Sequence, residues 1–135
     1  VARALYAEHY EPVEEVGFIT RDIDKLRIGY SPDGLVGDDG LIEIKSRRAK
    51  YQVQTIVDAD MPEEYETQVQ TGLLVTGRAW CDFISYSGGL PMVVIRVLPD
   101  EKVQAAIIDA AKTAEAQIAE KTSDQNRTAF VLMPE

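Results

Sequence analysis

The chain has 135 residues, 45% of them apolar and 27% charged, as expected for one globular domain long enough to bury a core. Its formal charge of −9 argues against a surface coated in basic DNA-binding groups, and its single cysteine (Cys81) and single histidine (His9) argue against a nitrogen- and sulfur-ligated zinc site. No apolar run approaches the roughly 18 residues of a membrane span, and Val1–Tyr6 is followed by charge rather than by an apolar signal region, so no membrane partner is expected.

Residues 1–10 read as the end of a helix, with Pro12 as its stop. Val13 to Thr20 reads as a strand and Arg21 to Asp24 as a turn. Leu26, Ile28 and Tyr30 alternate with Arg27 and Gly29, the period of a half-buried strand. Ser31-Pro32-Asp33-Gly34 breaks it. Leu35-Val36 and Leu41 to Ser46 are two strand signals joined by Gly37-Asp38-Asp39-Gly40, a hairpin turn. Residues 47–60 read as a mobile loop. Asp60 is placed to cap a helix starting near Pro62, with Glu63 as its capping-box partner. Tyr65, Val69, Leu73 and Thr76 form one face of that helix, ended by Gly77. Ala79 to Tyr86 and Met92 to Leu98 read as strands, with Val93-Val94-Ile95 continuous enough for a central one. A last helix runs from about Pro99 to Lys121 with Val103, Ile107, Ala111, Ala114 and Ile118 in one stripe, and the apolar tail Phe130–Met133 is expected to dock on a neighbour. The order predicts an α+β (mixed α/β) domain, 1–135, with one central mixed sheet flanked by helices.

The chemistry concentrates in Asp33 and in Glu43-Ile44-Lys45. On a strand, Glu43 and Lys45 share one face while Ile42 and Ile44 bury on the other. The hairpin folds residues 33–36 back beside 41–46 and can bring Asp33 next to Glu43. Two carboxylates that close repel unless a cation lies between them. With few nitrogen or sulfur ligands in the chain, that cation is expected to be hard: Mg²⁺, Mn²⁺ or Ca²⁺, held by Asp33, Glu43 and the Ile44 carbonyl. Lys45 can then orient a water or stabilise charge on an attacked phosphate. The same acids and lysine on a surface hairpin also read as a solvated face. Lys45, Arg47, Arg48 and Lys50 fall within six residues free of acid, a patch for phosphate contacts or simply for solvent. Cys81, between Trp80 and Phe83, reads as a buried reduced thiol, which fits a reducing cytosol.

Ser31-Pro32-Asp33-Gly34-Leu35-Val36, Gly40-Leu41-Ile42-Glu43-Ile44-Lys45-Ser46, Tyr65-Glu66-Thr67-Gln68-Val69-Gln70 and Trp80-Cys81-Asp82-Phe83 together resemble the YqaJ-like viral recombinase nucleases of the phage lambda exonuclease type, within the PD-(D/E)xK restriction-endonuclease-like superfamily. The resemblance runs from about residue 2 to about residue 100. It implies a restriction-endonuclease-like core and a Mg²⁺- or Mn²⁺-dependent exonuclease that degrades one strand of double-stranded DNA from a 5′ end for recombination. It implies metal-binding acids at Asp33 and Glu43, a carbonyl ligand at Ile44, a catalytic lysine at Lys45, a site-facing glutamine at Gln68 and a terminal-phosphate contact at Ser31. It further implies a ring-shaped homotrimer, a single-strand annealing protein as partner, and a phage or prophage origin with action in the bacterial cytoplasm. The family's upstream helix carries an R-G…E pattern whose glutamate would fall just before Val1. The chain is therefore expected to lack the family's N-terminal helices, with Glu8 and Glu11 as stand-ins or as surface residues. Gln68 and Gln70 also read as solvated; being two apart on a helix they do not share a face, and Gln68, three residues after Tyr65, is expected to be the inward one. Two other readings stand beside the exonuclease: an endonuclease of the same superfamily, and a non-catalytic DNA-binding or scaffold domain that keeps the fold.

Overall fold

The computed structural model describes residues 2–122 and 131–132. Helix α1 (Ala2–His9) is followed by strand β1 (Val13–Glu14), a hairpin of β2 (Ile19–Ile23) and β3 (Leu26–Tyr30), and a second hairpin of β4 (Gly34–Val36) and β5 (Gly40–Ser46). Helix α2 (Ala49–Asp58), a 3-10 turn (Glu63–Tyr65) and helix α3 (Glu66–Thr76) lead to β6 (Trp80–Tyr86), β7 (Val93–Val97), helix α4 (Glu101–Thr122) and β8 (Val131–Leu132). The strands form a five-stranded sheet, β1-β4-β5-β6-β7, and a three-stranded sheet, β2-β3-β8. In the larger sheet β5 and β6 are parallel and every other neighbouring pair is antiparallel. A parallel pair needs a long crossover, which α2, the 3-10 turn and α3 supply.

The α+β expectation holds, with a mixed sheet and helices on both of its faces, but β2 and β3 form a second, smaller sheet instead of joining a single one. Side-chain alternation along the central strands divides the core. Leu41, Cys81 and Phe83 join Val69, Leu73, Ile107 and Ala111 on the side of α3 and α4. Ile42 and Ile84 join Ala2, Tyr6 and Val36 on the side of α1, with Ile44 packed against them. Helix α3 is buried from Gln68 to Val75 on all sides, because it lies between the large sheet, the β2–β3 hairpin and α4. It approaches β3 closely: a Cβ on Gly72 would lie 2.7 Å from the Tyr30 ring, so only glycine fits there.

Several elements differ from the sequence reading. Residues 49–58 form a helix rather than a loop. Its inward positions are polar, which hid the apolar period: buried Gln52 donates to the carbonyls of Ser85 (2.9 Å) and Pro91 (2.8 Å) and accepts from the Ser85 hydroxyl. Arg21 to Ile23 continue β2, and the turn is the two-residue Asp24-Lys25 with φ of 50° and 70°. The stretch from Val13 to Thr20 is split between β1 and the start of β2. Asp60 forms no capping box; its carboxylate accepts from the Met61 N–H, and a 3-10 turn headed by Pro62 precedes α3. Strand β7 is an edge strand rather than a central one, and its side chains are only partly buried. Of the apolar tail, Val131 and Leu132 pair with Ile28 and Gly29 of β3, while Phe130 and Met133 lie outside the described residues. Gln70, expected outward, is buried more deeply than Gln68. It donates to the Leu98 carbonyl (3.0 Å) and accepts from the Asp100 N–H (2.9 Å) and the Gln104 amide (3.1 Å), tying α3 to the start of α4. Asp100 caps α4 through the N–H groups of Lys102 and Val103.

A polar cluster around buried Asp82, with Tyr6 buried and Arg96 half-exposed, clamps α1 to the sheet. Asp82 and Arg96 face each other across β6 and β7. Arg96 Nε donates to Asp82 Oδ1 at 2.9 Å and Nη2 to Oδ2 at 3.1 Å, while its guanidinium lies 3.7 Å over the Trp80 ring. The Tyr6 hydroxyl donates to Asp82 Oδ2 at 2.6 Å. Burial, and then the Asp82 carboxylate, push the Tyr6 hydroxyl well above the usual tyrosine range. A raised folded-state pKa contributes stability that is complete below the unfolded tyrosine value of about 10 and is lost as pH rises past it. The buried Cys81 thiol, also pushed up by burial, adds a loss of the same sign. We therefore expect Tyr6→Phe to unfold at lower urea than the wild type at pH 7, with the gap narrowing between about pH 10 and 11. A gap unchanged up to pH 11 would contradict this account of Tyr6. Gln70→Ala strands three partners and is expected to cost about 2 kcal/mol in urea denaturation; a loss below about 0.5 kcal/mol, the range of ordinary surface changes, would contradict the anchoring role.

Candidate active site

The β4–β5 register sets Gly34 opposite Ile42, Leu35 opposite Leu41 and Val36 opposite Gly40. One step further along the same diagonal, Asp33 stands beside Glu43. Asp33 Oδ2 accepts the Ile44 N–H at 2.7 Å, taking the place of a strand neighbour at the end of β4. In a strand the N–H and C=O of one residue share a flank, so the Ile44 carbonyl opens toward Asp33 as well.

Glu43 is 3% exposed, and Gln68 Nε2 donates to its Oε1 at 3.4 Å, a long contact. Lys45 lies two residues along the same face, half-buried, with Nζ 5.4 Å from the centroid of the Tyr65 ring. Asp33, Glu43, Ile44, Lys45 and Gln68 thus gather at the carboxyl end of β5. Ser31 is exposed on the segment joining β3 to β4.

Two depressions flank this end of β5. One, of about 390 Å³, is lined by Ala2, Arg3, Asp33, Ile44, Ser46 and Tyr86. Arg3 secures it: Nε donates to the Asp33 carbonyl and Nη1 to Glu15, both at 2.9 Å. The other, of about 350 Å³, is lined by Ser46, Arg47, Arg48, Tyr51, Glu64 and Tyr65. Ser46 borders both. Arg48 is exposed, whereas the Arg47 side chain is 9% exposed, 3.4 Å from Thr55 Oγ1 and 3.8 Å from Glu64.

Among the described residues no three His, Cys, Asp or Glu side chains gather where they could share a metal ion. Glu8 and Glu11 are exposed. The donor set at hand is two carboxylates and one backbone carbonyl, all oxygen. That set fits a hard divalent cation such as Mg²⁺, which is commonly held by one or two carboxylates and keeps several waters. The buried Cys81 thiol, raised first by burial and then by the charges of Glu43, Asp82 and Asp33, is no competitor as a ligand or nucleophile. Sequence reading did not foresee that Arg3 holds the Asp33 carbonyl or that Glu64 meets Arg47. Tyr65 carried one usable signal, its place one helical turn before Gln68.

The profile of the YqaJ-like viral recombinase domain matches residues 1–79. The alkaline exonuclease LHK-Exo from Laribacter hongkongensis is 35% identical and superposes with a TM-score of 0.71, covering 91% of this chain and 69% of that one. LHK-Exo in complex with dAMP gives the same identity and coverage with a TM-score of 0.72. The structure of SSO0001 is similar in fold, with 17% identity and a TM-score of 0.57 over 89% of this chain and 55% of that one. None of the curated proteins matches the chain. The mixed sheet, the placement of Asp33 beside Glu43 and these likenesses agree: the chain belongs to the YqaJ-like viral recombinase family.

Proposed function

We propose that this chain is a Mg²⁺- or Mn²⁺-dependent deoxyribonuclease, an exonuclease that degrades one strand of duplex DNA from a 5′ end in phage-type recombination. The observation that carries the reading is the side-by-side placement of Asp33 and Glu43 across the β4–β5 hairpin, with Lys45 on the face of Glu43. A divalent cation, when bound by Asp33, Glu43 and the Ile44 carbonyl, supplies Lewis-acid stabilisation of the phosphodiester under attack. The chain's own residues do the positioning. The Asp33–Ile44 hydrogen bond fixes one carboxylate against the strand, and Gln68 steadies the other. Lys45 brings a positive charge to the same face, where it can stabilise charge building on a phosphate. Arg48 is the exposed phosphate contact; Arg47 offers less, because Thr55 and Glu64 already occupy it. Ser31, two residues before Asp33, is assigned to the terminal phosphate.

The likeness to an alkaline exonuclease supports this reading. The 5′ polarity, a homotrimer, a single-strand annealing partner and action in the cytoplasm of a bacterial host rest on the family resemblance. No helix of the described residues is long and apolar enough to cross a membrane.

The test compares linear duplex DNA, labelled at its 5′ ends, with covalently closed circles, with Mg²⁺ and with a chelator. Release of labelled nucleotides from linear DNA, only with metal, and intact circles are expected. Lys45→Ala is expected to slow release by about 10²–10³-fold while costing about 1 kcal/mol of stability or less. Cut circles would move the assignment to an endonuclease. DNA binding without cleavage of either substrate would move it to a non-catalytic domain.

A further inference from the structure

Tyr65 occupies a junction that no assigned role explains. It closes the 3-10 turn through its N–H, which donates to the Pro62 carbonyl at 3.0 Å, and α3 starts at the next residue. Its ring packs on Phe83, with centroids 5.3 Å apart and planes tilted by 30°. Phe83 is the register partner of Glu43 in the parallel β5–β6 pair. The ring is therefore laid over the sheet face that carries Glu43 and Lys45.

Two cations sit over that ring. Lys45 Nζ lies 5.4 Å from its centroid, and the Arg47 guanidinium carbon lies 5.5 Å from it. Both fall within the roughly 6 Å over which a cation is drawn to an aromatic face. Arg47 is itself held, by Thr55 and Glu64 through its side chain and by the Tyr86 carbonyl, which accepts its backbone N–H at 2.7 Å. It braces one cation position while Lys45 takes the other. Three residues after Tyr65, Gln68 reaches Glu43. One turn of chain thus meets both charged side chains of the motif.

A lysine is a compact charge on a flexible stem. Without a partner, its ammonium would range over many positions. A catalytic group displaced by about 1 Å can lose on the order of 10² in rate. We propose that Tyr65 is a positioning residue for Lys45: its ring, pinned by Phe83 and shared with Arg47, holds the ammonium above the Glu43 face. The proposal rests on the reading of Lys45 as a catalytic group.

Three variants test it: Tyr65→Leu, Tyr65→Phe and Lys45→Met. With linear duplex DNA and Mg²⁺, Tyr65→Leu is expected to lower kcat about 10-fold and to leave KM within about twofold, since the ring positions Lys45 rather than binds DNA. Tyr65→Phe keeps the ring and is expected to recover most of the lost turnover. In the metal-free protein, Tyr65→Leu is expected to lower the urea midpoint less in the Lys45→Met background than in the wild type. Wild-type turnover in Tyr65→Leu, equal loss in Phe and Leu, or a raised KM at unchanged kcat would each overturn the proposal. A wild-type chain that releases no nucleotide overturns the nuclease reading instead; the midpoint comparison then stands alone, and additive shifts overturn the link between Tyr65 and Lys45.

Discussion

Strand β5 is pinned on both flanks and buried on both faces over Leu41 to Glu43, and that constraint sets everything around the site. Leu41 joins the core under α3, and Ile42 joins the core under α1. A slip of one residue would send Ile42 into the position of an acid and an acid into the α1 core. Both cores therefore enforce a single register. The same register puts Asp33 beside Glu43 and aims Lys45 at the Tyr65 ring. The apolar residues thus fix where the charged ones meet.

Charge is handled differently at two places on the sheet. Asp82 is fully committed: Arg96 grips both oxygens and Tyr6 donates to one of them. Such a closed cluster holds α1 down and leaves nothing for a ligand. At the carboxyl end of β5, Asp33 and Glu43 are instead brought together with a depression beside Asp33 and cations behind it. Asp33 and Glu43, neighbours across the β4–β5 hairpin, offer carboxylate oxygens of the kind that hold a hard cation. The net charge of −9 is unevenly spread: Lys45, Arg47, Arg48 and Lys50 fall within six residues free of acid, at and just beyond the end of β5.

The placement of Asp33, Glu43 and Lys45 at the candidate site was legible because it is local. Period-two alternation sorts Glu43 and Lys45 from Ile42 and Ile44, and the Gly37–Gly40 turn forces the return of Asp33; both need only neighbouring residues. Gln68 was legible through the motif that it shares with Tyr65. What escaped depends on distant partners. Helix α2 hid because Gln52 and Thr55 occupy its inward face, and that polarity makes sense only once Ser85, Pro91 and Arg47 are in place. Gln70 looked solvated for the same reason: its partners lie about thirty residues away at the start of α4. The Asp24-Lys25 turn lacks the glycine that usually marks such a hairpin, so polar Arg21 and Asp22 read as the turn itself. The edge position of β7 follows from strand order, which the composition of Val93–Ile95 does not encode.

The claim that the hairpin assembles a cation site is tested most directly by crystals grown with Mn²⁺ and diffraction measured for its anomalous signal. The account predicts one peak at the carboxyl end of β5, within coordination distance of Asp33, Glu43 and the Ile44 carbonyl, and its loss in Asp33→Asn. Crystals with Mn²⁺ in the solvent and no peak between Asp33 and Glu43, or a peak that survives Asp33→Asn, would contradict it.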